Sequence, residues 1–161
     1  MSLPSNSLGG RRGLAVGIIA ARKALEFLGP SASYVAKQSY GYDIIYKSLR
    51  IDVKALETTR DHVELDDLGD IPVRQYREHV CDVYLMARVN VSLRTCWLIG
   101  WIFKENLLDK EMGRLQKKGS VNVVNNTNDF TYSDIAEYTF TESEWVDALK
   151  EAERRMKQER R

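Results

Sequence analysis

The sequence predicts an α/β domain with a central mixed β-sheet flanked by helices. Three observations carry that expectation. Helical periodicity is concentrated at the two ends, over residues 13–28 and after Thr141. Between them lie runs of strand length and composition: YDIIY, LRIDVKAL, CDVYLMARVNV and TCWLIGWIF. Neither GxxxxGK[ST] nor GxGxxG occurs, which argues against a doubly wound nucleotide fold.

Residues 13–28 read as a helix because Leu14, Ile18, Ala21, Leu25 and Leu28 recur at three- and four-residue steps. Gly29-Pro30 ends it, since Gly suits the residue past a helix and Pro cannot continue one. Gly13, Gly17, Ala20, Ala21 and Ala24 are small enough for close packing on a sheet, and Arg22 and Lys23 fall toward the polar side. Tyr42–Tyr46 and Leu49–Leu56 read as strands joined through Lys47-Ser48 into a hairpin. Residues 57–70 are acidic and irregular, and 72–79 suggest a short helix with Pro72 in its first turn. Cys81–Val91 and Thr95–Phe103 are apolar enough to be buried strands. Lys104–Gln116 is a charged helix or extended turn, and 117–133 a polar surface loop. Thr141-Glu142-Ser143-Glu144 is a capping box, with Phe140 and Trp145 at the spacing of a hydrophobic staple. Beyond Lys150 the charged tail is expected to fray.

At 161 residues the chain suits one domain with a real core. The expected organisation is a flexible lead over 1–12, one domain over 13–150 and a charged helical tail over 151–161. No apolar run reaches the roughly 18 residues of a membrane span, and no secretory signal is apparent, so an intracellular, cytoplasmic protein is expected. Cys81 and Cys96 have neither a metal-ligand spacing nor a disulfide framework and read as buried free thiols. Net charge is +1, but it is unevenly spread: residues 1–54 carry +5 and residues 55–85 carry −5. Six basic residues against three acidic ones close the chain, so its basic ends are candidates for a polyanion-facing surface.

Chemistry concentrates in Asp43 and the strand carrying Asp52 and Lys54. Two residues apart on a strand, Asp52 and Lys54 share a face, while Ile51, Val53 and Ala55 take the other. A carboxylate and an ammonium on a mostly buried strand are costly unless paired or used. Asp43, on the other arm of the hairpin, can reach the same point. Two converging carboxylates repel unless a cation lies between them, and oxygen donors favour Mg²⁺, with Mn²⁺ as substitute. The Val53 carbonyl is a natural further ligand. On spacing alone, Asp52 and Lys54 fit equally a surface ion pair, with Asp43 a turn residue.

Asp43, eight intervening residues, then Asp52-Val53-Lys54 resembles the signature of the PD-(D/E)XK nuclease superfamily. Tyr42 stands where the strict pattern has Pro. The context is similar too: a small-residue helix ending in Leu28-Gly29 before the motif, and apolar strands after it, WLIGWIF among them. The resemblance covers residues 13–103. It implies a restriction-endonuclease-like core, Asp43 and Asp52 as metal ligands and Lys54 as the catalytic lysine. The superfamily's first-helix glutamate has no clear counterpart, because Val16, Gly17 and Ile18 occupy the inner face and Glu26 reads as solvated. Gln75 is a candidate for a downstream catalytic glutamine.

The implied activity is Mg²⁺-dependent hydrolysis of DNA phosphodiesters, with Holliday-junction, restriction-like and homing-type cleavage left unranked. A non-catalytic nucleic-acid-binding or assembly module on the same fold is the alternative. Arg11 and Arg12 ahead of the first helix, Lys37 and Gln38 before the hairpin, and Lys117 and Lys118 in the polar loop are candidate DNA contacts. A lone domain of this size cuts two strands by oligomerising, so a homodimer or higher homo-oligomer is expected.

Overall fold

The structure is a computed structural model that describes residues 8–35, 41–64, 70–72, 80–107, 120–122 and 136–159. It is α/β with a mixed sheet, as the sequence predicts. Helix α1 spans Leu8–Leu28. Strands β1 (Ala32–Tyr34), β2 (Ile44–Tyr46) and β3 (Leu49–Glu57) follow, then β4 (Asp70–Pro72), β5 (Val83–Asn90) and β6 (Thr95–Phe103). A 3₁₀ turn over Lys104–Leu107, β7 (Ser120–Asn122), β8 (Ala136–Thr139) and helix α2 (Glu142–Glu159) complete the order.

Six strands form one sheet in the order β1-β2-β3-β5-β6-β8. Every neighbouring pair is antiparallel except β3 and β5, which run parallel. The apolar runs VYLMARVN and TCWLIGWIF are buried almost throughout, as central strands must be. β4 and β7 pair as a separate two-stranded sheet. Pro72 therefore belongs to a strand, not to a helical first turn, and residues 73–79 lie outside the described residues. Part of the expected 117–133 loop likewise becomes β7. These three-residue strands carry too little periodicity to be seen locally; their pairing partner creates them.

α1 packs on β3, β5 and β6, and α2 packs on α1. The core joins Ile51, Val53, Val83 and Leu85 of the sheet to Val16, Ile19, Ala20 and Ala24 of α1 and to Ala148 and Ala152 of α2. The close approach comes from alanines: a Cβ at Gly13 or Gly17 would meet nothing within 4 Å. Gly29 has φ +84° and its N–H bonds the Leu25 carbonyl at 2.9 Å, the left-handed stop expected of Gly-Pro.

Lys23 departs from its expected solvated position. It is buried, and its ammonium reaches Glu26 at 2.9 Å and Glu144 at 3.1 Å. Burial works against its charge, but hydrogen bonds to Glu26 and Glu144 more than restore it, and its pKa is raised. α1 alone cannot announce this, because the second carboxylate arrives from α2.

The N-terminus of α2 follows the sequence reading. Thr141 N–H donates to Glu144 Oε1 and Glu144 N–H donates to Thr141 Oγ1, both at 3.0 Å. Phe140 and Trp145 stack with centroids 6.4 Å apart. Thr141→Ala removes the acceptor for one helix N–H and is expected to cost about 1 kcal/mol, measured by urea unfolding. The expected fraying after Lys150 does not occur before Glu159. Ala152 and Met156 are buried, Arg155 hydrogen-bonds the Tyr34 hydroxyl, and Arg154 with Arg155 hold Glu151 down to about 2. Tertiary partners replace the intrinsic stability that the charged tail lacks.

Candidate active site

The β2–β3 hairpin is closed by Lys47 and Ser48 at φ 48° and 69°. Two consecutive residues of positive φ are the mark of a type I′ turn, whose twist matches the strands it joins. The register pairs Ile44 with Ile51, Ile45 with Arg50 and Tyr46 with Leu49. Extended by one residue, it sets Asp43 across from Asp52.

β2 ends there, and the Asp43 side chain takes over its ladder role. Asp43 N–H donates to the Ile51 carbonyl at 2.8 Å, and Val53 N–H donates to Asp43 Oδ2 at 2.8 Å. The Asp43 carbonyl in turn accepts Val35 N–H at 2.8 Å. Two bonds to its backbone and one to its carboxylate thus fix Asp43 beside β3. A residue's N–H and C=O leave an extended strand on the same edge, so the Val53 carbonyl lies on the Asp43 side.

Asp52 is buried, with a relative exposure of 7%. Lys54 Nζ stands 3.1 Å from Asp52 Oδ2, on the same face as expected from the alternation. Asp43 and Asp52 are within hydrogen-bonding reach of each other. Burial first, then the Asp52 charge, push the Asp43 carboxyl up to about 7, while the Val53 N–H and the Lys54 charge pull the other way. The structure therefore brings Asp43, Asp52, Val53 and Lys54 together.

These donors fit a hard divalent cation. Two carboxylates and a backbone carbonyl are oxygen ligands. Among the described residues no group of three or more His, Cys, Asp and Glu side chains is placed to hold a metal.

Other predicted positions fall elsewhere. Glu26 is half exposed and engaged with Lys23, its carboxylate 2.9 Å from that ammonium. Arg11 and Arg12 lie inside α1, which begins at Leu8, and not ahead of it. Arg12 grips Glu57 with Nε–Oε1 at 2.8 Å and lies over the Trp145 ring at 5.7 Å; Arg11 approaches Glu153 at 3.9 Å. These long-range partners explain why the helix starts earlier than its apolar pattern suggests. Gln75, Lys37, Gln38, Lys117 and Lys118 lie outside the described residues. Cys81 and Cys96 are free and buried, and burial raises their pKa to about 11 and about 12.

Sequence reasoning missed a second row of polar groups near the end of the sheet. Arg50 and Asp82 form a two-pronged pair, Nη2–Oδ1 at 3.0 Å and Nε–Oδ2 at 3.1 Å. Asp82 N–H donates to the Arg50 carbonyl and Lys104 N–H to the Asp82 carbonyl, both at 2.8 Å. Asp82 is held below the usual carboxylate range, chiefly by its hydrogen bond from Arg50. Alternation along LRIDVKAL puts Arg50 on the Asp52 face; nothing local ties Asp82 or Lys104 to it.

The fold and site define an α/β protein whose mixed sheet carries an Asp–Asp–Lys constellation at a hairpin, with Asp52 buried and Asp43 and Lys54 half-buried. No protein-family model matches the chain, and neither a curated protein nor a solved structure matches it. Among the described residues no helix is long and apolar enough to cross a membrane.

Proposed function

We propose that this chain is a Mg²⁺-dependent DNA endonuclease of the PD-(D/E)XK type, with a restriction-endonuclease-like core. The observation that carries the reading is the meeting of Asp43 and Asp52 across the hairpin with the Lys54 ammonium 3.1 Å from Asp52. A mere surface ion pair would not bury Asp52 or set a second carboxylate against it.

In this reading Asp43, Asp52 and the Val53 carbonyl hold the cation. When bound, Mg²⁺ lowers the pKa of water and offsets charge on a scissile phosphate. The chain's own work is positional. Val53 N–H holds Asp43 in place, so the carboxylate is oriented before substrate arrives. Lys54 donates hydrogen bonds from a partly enclosed position, where its charge is worth more than in water, and stabilises negative charge developing on the phosphate. With one such site per chain, cutting two strands requires a homodimer or higher homo-oligomer.

The test is cleavage of labelled linear duplex, single strand, four-way junction and plasmid with Mg²⁺ or Mn²⁺, against an EDTA control. Metal-dependent cutting is expected, and the preferred substrate separates junction resolution from restriction-like and homing-type cleavage. DNA binding without cutting any substrate, together with no Mg²⁺ or Mn²⁺ binding by calorimetry, would leave the non-catalytic module as the better reading.

A further inference from the structure

Alternation puts Arg50, Asp52 and Lys54 of β3 on one face, opposite Leu49, Ile51 and Val53, which pack into the helix-side core. Lys54 shows how far a basic neighbour reaches along this face. It stands two residues from Asp52 and brings Nζ to 3.1 Å from Asp52 Oδ2. Arg50 stands two residues away on the other side, with a side chain of similar length. Strand residues rise about 3.3 Å each, so Arg50 and Lys54 start equally far from Asp52. A guanidinium can grip a carboxylate with two parallel hydrogen bonds, which an ammonium cannot match. Arg50 is therefore the stronger partner within reach of Asp52, yet the fold pairs Asp52 with Lys54 and turns Arg50 toward β5.

Asp82 accounts for that difference. The register sets Ile51 beside Val83, so one step earlier Asp82 is the neighbour of Arg50. Its backbone is fixed at both edges: Asp82 N–H donates to the Arg50 carbonyl, and its own carbonyl accepts Lys104 N–H, both at 2.8 Å. Its carboxylate then meets Arg50 at three points. Oδ2 accepts the Arg50 backbone N–H at 2.8 Å and Nε at 3.1 Å, and Oδ1 accepts Nη2 at 3.0 Å. One carboxylate thus holds both the backbone and the guanidinium of Arg50. The Arg50 side chain is 41% exposed, so packing alone does not fix its direction. A guanidinium turned onto Asp52 would occupy oxygens that a cation needs and set a second positive charge beside it.

We propose that Asp82 is a positioning residue that sequesters the Arg50 guanidinium, keeping it off Asp52 so that the Asp43–Asp52 pair remains available to a divalent cation. The assignment rests on the metal-dependent nuclease reading. It separates the two aspartates that replace ladder acceptors along β3. Asp43 takes Val53 N–H and belongs to the cation, whereas Asp82 takes Arg50 N–H and belongs to a guanidinium.

The test is calorimetry of Mg²⁺ binding, without DNA, on wild type, Asp82→Asn, Arg50→Gln and the double variant. Asn keeps an acceptor for the Arg50 N–H but loses the charge that holds the guanidinium. An opposite charge within about 4–6 Å changes the proton affinity of a carboxylate by about tenfold or more, so the Kd for Mg²⁺ is expected to rise about tenfold in Asp82→Asn. Arg50→Gln removes the competitor, so that variant and the double variant should both bind Mg²⁺ as wild type does. The Mg²⁺ concentration for half-maximal cleavage should shift in step, with kcat recovered at saturating Mg²⁺. A merely structural pair gives another pattern: either single change weakens Mg²⁺ binding and the double variant restores nothing. That pattern, or a wild-type Kd in a folded Asp82→Asn variant, would overturn the assignment. If Asp82→Asn does not fold, Arg50→Gln decides: an unchanged Kd upholds the assignment and a raised one overturns it. Mg²⁺ binding without cleavage of any DNA would refute the nuclease reading while the Kd values still decide Asp82. Absence of Mg²⁺ binding by the wild type overturns both.

Discussion

Asp52→Ala is expected to abolish Mg²⁺-dependent cleavage, and Lys54→Ala to lower kcat by about 10²–10³-fold with a smaller effect on DNA affinity. The two substitutions act on different halves of one pair, Nζ and Oδ2 at 3.1 Å. Removing Asp52 deletes one of the two carboxylates available to the cation. Calorimetry should then show Mg²⁺ binding weakened beyond detection. Removing Lys54 keeps both carboxylates but deletes the ammonium that offsets them. Mg²⁺ binding should survive, since repulsion between the carboxylates makes a cation more welcome, while charge on the phosphate goes unanswered by the chain. Lys54→Ala should also lower the metal-free melting temperature, because breaking a buried pair leaves a carboxylate uncompensated. Single-turnover cleavage, calorimetry and thermal melts on the same preparations separate these effects. A chance constellation predicts otherwise: both variants would show modest stability changes and no effect on metal or DNA.

Asp43→Asn should make the metal-free protein more stable than wild type at pH 8, and Mg²⁺ should narrow that gap. The sign follows from the Asp43 carboxyl, pushed up to about 7 by burial and by Asp52. The unfolded chain releases this proton near pH 4. Between about pH 4 and pH 7 the folded state therefore holds more protons, and the contribution of this group to stability falls as pH rises through that window. Above pH 7 the full cost of ionising Asp43 beside Asp52 is present. Asn cannot ionise, and its side-chain carbonyl can still accept Val53 N–H, so the variant escapes that cost. Each kcal/mol of relief reads as about 2–4 °C in a chain of this size. Near pH 4 the two proteins should melt alike. With Mg²⁺ the gap should narrow, because a cation held only by the wild-type pair adds, at a hundred times its Kd, the equivalent of about two pK units against the roughly three by which Asp43 is raised. Melting curves at pH 4 and pH 8, with Mg²⁺ and with EDTA, contain all four comparisons. Equal pH slopes for the two proteins would refute the raised Asp43 pKa.

Local pattern carried far in this chain. The alternation in LRIDVKAL put Asp52 and Lys54 on one face, and that is where the Nζ–Oδ2 contact forms. Lys47-Ser48 read as a hairpin connection, and the hairpin placed Asp43 across from Asp52. Thr141 and Glu144 read as a capping box, and both reciprocal bonds form. Gly29-Pro30 marked the end of α1. Each of these rests on groups two to four residues apart, or on a tight turn, where covalent geometry leaves few alternatives.

What needed the tertiary structure is of another kind. Lys23 is buried because Glu144 of α2 meets it from far along the chain. α1 starts before its apolar repeat because Arg12 finds Glu57, and α2 outlasts its expected end because Arg155 finds Tyr34. The parallel pairing of β3 with β5, and the short β1, β4, β7 and β8, depend on partners that no local period reveals. The sequence by itself determined the hairpin, the shared face of Asp52 and Lys54, and the caps, because backbone geometry links near neighbours directly. Only the tertiary structure decided that Asp43 is held by Val53 N–H and raised toward neutrality, and that Arg50, Asp82 and Lys104 form one row. Those outcomes depend on burial and on which strands lie side by side, quantities that exist only once the sheet has closed on its core.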